Sequence, residues 1–321
     1  MKVPFRVCRV ALVGRPNAGK STLLNALLEC PISAVSSKPQ TTRSTIRGVV
    51  QRYDENNQWS GQHVLMDTPG VNFTKGFLDR NMFAAIEESL SQVDLVVWVS
   101  DPKALRKDLS SLQSGLSGDR ELDFFVSQMS KLSCPWILAI TKADVFPKAE
   151  FLPLLETAAP LLPRVSAIVP IAAALGLSNP DANLTGLLSL MDSHGVAVDE
   201  PLFDEPVTAD CDVEAIVQNL VREQLFVQLY DELPYQADCV VLRTVAPQGQ
   251  KKKVEVDAQI VVARENLKRI VVGQGGSKIK KIGSEARRRY QDVTGQDIVL
   301  HLMVKVVDRL ESFVTERRYV L

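Results

Sequence analysis

The sequence predicts an α/β protein: a doubly wound, mostly parallel sheet over residues 1–195, then a smaller α+β domain over residues 211–321. Three observations carry this expectation. Up to about residue 195, short strand-like runs alternate with helical segments, the pattern of parallel strands covered by helices. Residues 196–210 then become acidic and proline-rich (Asp199-Glu200-Pro201, Asp204-Glu205-Pro206) with no periodicity, which marks a linker. Beyond it the order of elements changes. A chain of 321 residues also divides naturally into two compact domains.

In chain order, residues 9–13 form an apolar strand and residues 22–28 carry helical spacing. Residues 45–53 and 63–66 flank a turn at Asn56-Asn57 and read as a hairpin, the one antiparallel step of the sheet. Residues 94–99, 135–140 and 165–171 are apolar on both faces, as buried parallel strands should be. After the linker come a helix over 213–230, strands over 238–245 and 254–262, two short helices around a glycine loop, and a strand over 298–306.

Composition excludes several classes. The five cysteines (Cys8, Cys30, Cys134, Cys211, Cys239) are odd in number and lack C-x-x-C spacing, so they read as free thiols in a reducing compartment. His63, His194 and His301 lie far apart and suggest no ligand cluster. No run approaches the roughly 18 apolar residues of a membrane span. Lys2 and Arg6 precede an apolar run that enters a glycine loop, so a cleaved leader, which would destroy that loop, is not expected. A cytoplasmic protein follows.

Gly14-Arg15-Pro16-Asn17-Ala18-Gly19-Lys20-Ser21 fits G-x-x-x-x-G-K-[S/T], between a strand and the helix that opens with Thr22. There the loop N–H groups and the helix dipole face the same phosphate oxygens. Lys20 adds a charge on the β and γ phosphates and Ser21 a hydroxyl on Mg²⁺. Three further segments fall in the order a guanine-nucleotide switch requires. Asp67-Thr68-Pro69-Gly70 ends a strand, with Asp67 holding Mg²⁺ through water and the Gly70 N–H sensing the γ-phosphate. In Thr141-Lys142-Ala143-Asp144, Asp144 accepts from guanine N1–H and N2 together, a pair adenine lacks, while the Lys142 stem covers the base. Within Gln40-Thr41-Thr42-Arg43, Thr42 reaches Mg²⁺ only when a γ-phosphate is present.

These residues resemble the Era family of GTPases, down to the spacing of Pro39-Gln40-Thr41-Thr42-Arg43. Two positions depart from it. Thr141 stands where the family has Asn, removing an amide that braces loop and base. Ala172-Ala173 stands where the family has Ser-Ala; an Ala173 N–H still meets guanine O6, but a bracing hydroxyl is gone. Guanine selectivity is expected to survive, and the sequence leaves open whether these two changes weaken binding. Val71 follows Gly70 where many GTPases carry a water-orienting Gln, so hydrolysis of GTP to GDP and phosphate should be slow. In related GTPases an Asn at the place of Asn17 coordinates K⁺, which offsets developing charge; the alternative is that Asn17 merely suits a tight turn. On this reading Asn17, Lys20, Thr42 and Gly70 are the catalytic set.

Residues 270–279, Ile-Val-Val-Gly-Gln-Gly-Gly-Ser-Lys-Ile, match the core of KH domains, I-x-x-G-x-x-G-x-x-I, in which the loop approaches a single-stranded backbone. Gly273-Gln274-Gly275-Gly276 alone also suits a helix-to-helix turn with no ligand. Charge favours the first reading. Nine basic residues face Glu265 and Glu285 across 264–289, a net of +7, leaving −8 for the rest of a chain whose total is −1. Ser277, Lys278, Lys280, Lys281 and Arg287 are the candidate RNA contacts beside the loop, and salt-sensitive phosphate binding should follow. The element order is that of type II KH domains, and the Era resemblance extends through Arg222-Glu223-Gln224-Leu225 and His301-Leu302-Met303-Val304. It implies binding to the 3′ end of 16S rRNA and assistance in maturation of the 30S subunit, by a monomer that allows peripheral association with the membrane. The residues alone leave open a nucleotide-gated RNA-binding switch with incidental hydrolysis, and a phosphotransferase acting on RNA ends.

Overall fold

A computed structural model of the chain describes residues 4–29, 46–67, 90, 92–115, 119–205, 209–210, 213–230, 233–246 and 253–307. Among these, residues up to 210 belong to one compact unit and those from 213 to a second.

The first unit has strands β1 (Phe5–Val13), β2 (Ile46–Tyr53), β3 (Trp59–Asp67), β4 (Leu95–Ser100), β5 (Trp136–Ile140), β6 (Val165–Pro170), β7 (Val196–Val198) and β8 (Ala209–Asp210). Its helices are α1 (Lys20–Leu28), α2 (Pro102–Ser114), α3 (Arg120–Lys131), α4 (Lys148–Leu161) and α5 (Leu184–Ser193). One sheet runs in the order β6-β5-β4-β1-β3-β2-β8. β1 pairs in parallel with both β3 and β4, and β4, β5 and β6 continue in parallel. The expected hairpin is the antiparallel pair β2–β3, whose turn is held by Asp54 Oδ1 accepting from the N–H groups of Asn56 (2.9 Å) and Gln58 (2.8 Å). The chain leaves β1 for β3 on one side and returns to β4 on the other, so a topological switch point lies at the end of β1.

β4 and β5 are buried along their whole length, with Trp98 stacked on Phe125 at 5.4 Å between centroids. Two expectations are corrected. β6 ends the sheet, and Val169 is its one buried residue, although the run is apolar but for Ser166. The expected linker is largely built into the first unit. β7 pairs antiparallel with the start of β1, and β8 with β2. Between them the buried Gln62 imitates a strand edge: its Nε2 donates to Phe203 O (2.6 Å) and its Oε1 accepts from Leu202 N (3.0 Å). Side-chain pairing of this kind leaves no periodic trace.

The second unit holds α6 (Val213–Gln228), β9 (Ala237–Val245), β10 (Val254–Val262), α7 (Glu265–Val272), α8 (Ser277–Thr294) and β11 (Ile298–Val306). The sheet order is β11-β10-β9, parallel between β10 and β11 and antiparallel between β10 and β9. Alternate β10 residues (Val254, Val256, Ala258, Ile260) enter a core shared with Leu220, Val221 and Leu225 of α6 and Ile282, Ala286 and Tyr290 of α8. The fully buried Arg222 bonds to Asp238 (Nε to Oδ1, 2.9 Å) and Asn219 (Nη1 to Oδ1, 2.8 Å), which offsets the cost of burying its charge.

Candidate functional site

The loop after β1 is shaped from beneath. Gly14 adopts φ +156°, and a Cβ there would fall 2.1 Å from the Val99 carbonyl oxygen, so only glycine lets β4 support the loop this closely. Lys20 at the start of α1 is buried, and its Nζ donates to the carbonyls of Gly14 and Arg15 (both 3.0 Å), curling the loop around the ammonium. Burial pulls the Lys20 pKa down to about 8, against the opposing attraction of Asp67. Ser21 Oγ donates to Asp67 Oδ2 (2.7 Å), an alliance of hydroxyl and buried carboxylate suited to a hard divalent cation.

The other strands bring the remaining segments to the same edge. Register sets Leu12 beside Asp67, Val13 beside Trp98, Ser100 beside Ile140, and Ile140 beside Pro170, so the ends of β1, β3, β4, β5 and β6 lie along one edge. Lys142, at φ +58°, extends its Nζ to Asn17 O (3.3 Å) and Asp101 Oδ2 (3.4 Å), crossing the phosphate loop. Asp144 is exposed beyond it. The turn carrying Ala172 and Ala173 is joined to this loop: Ala143 N donates to Ile171 O (3.1 Å) and Ala172 N to Ala182 O (3.0 Å). Gly14 through Thr22, Asp67, Thr141, Lys142, Asp144, Ala172 and Ala173 thus share one edge of the sheet. Thr42, Thr68, Pro69 and Gly70 lie outside the described residues, as does Val71.

Two features of this edge were not legible beforehand. Arg15 is anchored by Asp108 of α2 (2.6 Å) and by Asp119 (3.0 Å), which clamp the loop at its first variable residue. The partners lie 93 and 104 positions away in sequence, and no local pattern announces them. Thr141 replaces part of the brace its identity was expected to lose: its Oγ1 donates to Ala18 O at 2.7 Å.

In the second unit, α7 and α8 meet at Gly273–Gly276, with Gln274, Gly275 and Ser277 exposed. Lys280 and Lys281 stand exposed on the first turns of α8, and Lys278 is half-buried. The three consecutive arginines diverge. Arg287 donates to Ser284 Oγ (3.1 Å) and Leu300 O (3.4 Å), Arg288 pairs with Glu285 (3.0 Å), and Arg289 pairs with Glu223 of α6 (3.2 Å). The stripe available to a polyanion is therefore narrower than its charge count. His301 does gather with Glu255 and Asp257, against the expectation of no cluster, but Arg243 pairs with both carboxylates (3.7 and 2.8 Å) and already supplies the cation there.

Comparison with known proteins finds a family match in each unit. Residues 9–142 match the protein family described as 50S ribosome-binding GTPase, and residues 232–309 match the KH domain. The GTPase Era of Nitratidesulfovibrio vulgaris (strain DP4) is 35% identical over 300 residues, covering 92% of this chain and 90% of that protein. The GTPase Era of Helicobacter pylori (strain HPAG1) is 32% identical over 295 residues, covering 92% and 89%. Among solved structures, a single-substitution variant of Aquifex aeolicus Era bound to GDP·AlF4⁻ aligns with a TM-score of 0.84 at 30% identity, over 99% of this chain and 100% of that one. An Era complex with MgGDPNP and nucleotides 1506–1542 of 16S ribosomal RNA aligns at 0.83 and 30%, with the same coverage.

Proposed function

The chain belongs to the Era family of GTPases, and on that premise we propose that its GTP cycle times the binding of the 3′ end of 16S rRNA during maturation of the 30S subunit. The observation that carries this reading is the presence in one chain of a closed phosphate loop and an exposed, basic glycine loop between two helices. The related complex holding MgGDPNP together with 16S rRNA nucleotides supports it.

At the first site, Lys20 and the loop N–H groups bind the β and γ phosphates, and Asp144 with the 172–173 turn selects guanine. Ser21 and Asp67, joined by Thr42 in the GTP state, would hold Mg²⁺, which neutralises phosphate charge. Asn17, exposed on the crest of the loop, provides an oxygen for K⁺. Equal turnover in sodium and potassium buffers would overturn that role. Val71 supplies no hydrogen bond to the attacking water, which keeps the intrinsic rate low.

At the second site, Gly273–Gly276 approaches the RNA backbone and Ser277, Lys278, Lys280, Lys281 and Arg287 contact phosphates. GTP favours the RNA-competent state and hydrolysis releases the factor, a monomer of the cytoplasm that also visits the membrane surface. On the same proposal, the RNA-binding domain begins at residue 211. Crosslinking in cells tests it: recovery of the 16S 3′ end is expected, and messenger, transfer or large-subunit RNA without it would overturn the assignment. Single-turnover cleavage with and without that RNA separates a hydrolysing factor from a switch whose hydrolysis is incidental.

A further inference from the structure

We propose that this chain recognises guanine without using N7, and that Thr141 acts on the nucleotide only through the phosphate loop. The inference rests on the guanine reading of the site and deepens it.

Thr141 follows β5 and is 2% exposed. Its backbone N–H donates to Ser100 O (2.9 Å), which continues the sheet for one residue and fixes the direction of the side chain. That side chain is turned under the phosphate loop. Its methyl lies against Gly19, where an added Cβ would come within 3.2 Å of Cγ2. Among the described residues its hydroxyl has two polar neighbours, Ala18 O at 2.7 Å and Ser100 O at 3.4 Å.

Both neighbours are carbonyl oxygens, which only accept. A threonine hydroxyl has one hydrogen to donate, so that hydrogen is committed to the loop, by distance to Ala18 O. Guanine N7 is an acceptor and needs a donor. Thr141 has none left, and Asp144 as a carboxylate only accepts. The Lys142 ammonium is directed at Asn17 O and Asp101 instead. Recognition therefore falls on N1–H and N2 through Asp144, and on O6 through a backbone N–H of the 172–173 turn. An asparagine at 141 would carry two N–H donors, one for the loop carbonyl and one for the base.

The test is calorimetric titration of the full chain with GDP, 7-deaza-GDP and ADP. The chain should bind 7-deaza-GDP within about twofold of GDP, since no hydrogen bond is lost. Thr141→Val should weaken both guanine ligands by the same factor, about fivefold for one buried hydrogen bond to the loop. Thr141→Ser, which keeps the hydroxyl and is the gentler change, should preserve both affinities. Thr141→Asn should open a gap of about fivefold between GDP and 7-deaza-GDP. A loss of about tenfold for 7-deaza-GDP on the unaltered chain, with GDP still preferred over ADP, would overturn this inference alone. Equal affinity for GDP and ADP would overturn the guanine reading and this inference with it.

Discussion

The two glycine loops of this chain both lead into a helix N-terminus, yet they are built on opposite terms. The loop at Gly14 is closed from below. Val99 O forbids a side chain at its first residue, Arg15 is clamped by two carboxylates, Lys20 is buried inside the curl, and Thr141 ties down Ala18. The loop at Gly273 is confined only at its first residue, where a Cβ would come 2.7 Å from Lys278 Cβ; beyond it the loop is open, and a Cβ on Gly275 or Gly276 would meet nothing within 4 Å. A rigid cradle fixes donors where charge must be held in one geometry, which chemistry on a phosphate requires. An open loop beside exposed lysines suits a backbone of variable shape, which single-stranded RNA presents.

Substitution at Gly14 should break this contrast most severely. Gly14→Ala must displace Val99, so it should destabilise the chain by about 3 kcal/mol and abolish GDP binding, read by thermal melting and calorimetry. Retention of GDP binding would show that the loop is not held from below. Next in size is Lys280→Glu with Lys281→Glu. RNA affinity should fall about tenfold or more, and the slope of log affinity against log salt should drop by about 1.4 for two lost phosphate contacts. GDP affinity should stay constant.

Proton linkage sharpens the comparison at moderate size. Lys20 in the free chain titrates near 8, and bound phosphates restore its ammonium. The sign follows: below pH 8 the lysine is already charged and GDP affinity is flat; above it, binding must take up a proton. Affinity should then fall by up to about tenfold per pH unit until the lysine titrates in the complex. Calorimetry in buffers of different ionisation enthalpy would detect the proton, and flat affinity through pH 9.5 would refute the buried-lysine account. The smallest effect belongs to Gly275→Ala. Its φ of +57° strains an alanine by about 1 kcal/mol, but the site is open, so the fold and GDP binding should survive.

Much of this was legible in the chain because its signals are local. The glycine spacing from Gly14 to Ser21, the Asp67 and Asp144 segments, and the glycine loop at 273–276 each encode a turn and its chemistry within a few residues. Element order followed from apolar runs, and the hairpin from Asn56-Asn57. The illegible parts were long-range. Gln62 binding residues 202–203 turned an expected linker into sheet edge, and β6 proved half-exposed because it is the last strand, a fact of topology rather than composition. The arginine stripe at 287–289 was readable as charge, but its partners Glu223 and Ser284 were not.

By itself, then, the sequence determined which chemistries this protein carries: phosphate, guanine and polyanion recognition, in that order along the chain. Only the tertiary structure decided how those residues are held. The thirteenfold longer reach from Arg15 to Asp108 than from Gly14 to Ser21 is bridged by folding alone. The same is true of the single hydrogen of Thr141. Its residue type permits donation to loop or base, and the packing of β5 beneath the phosphate loop selects the loop.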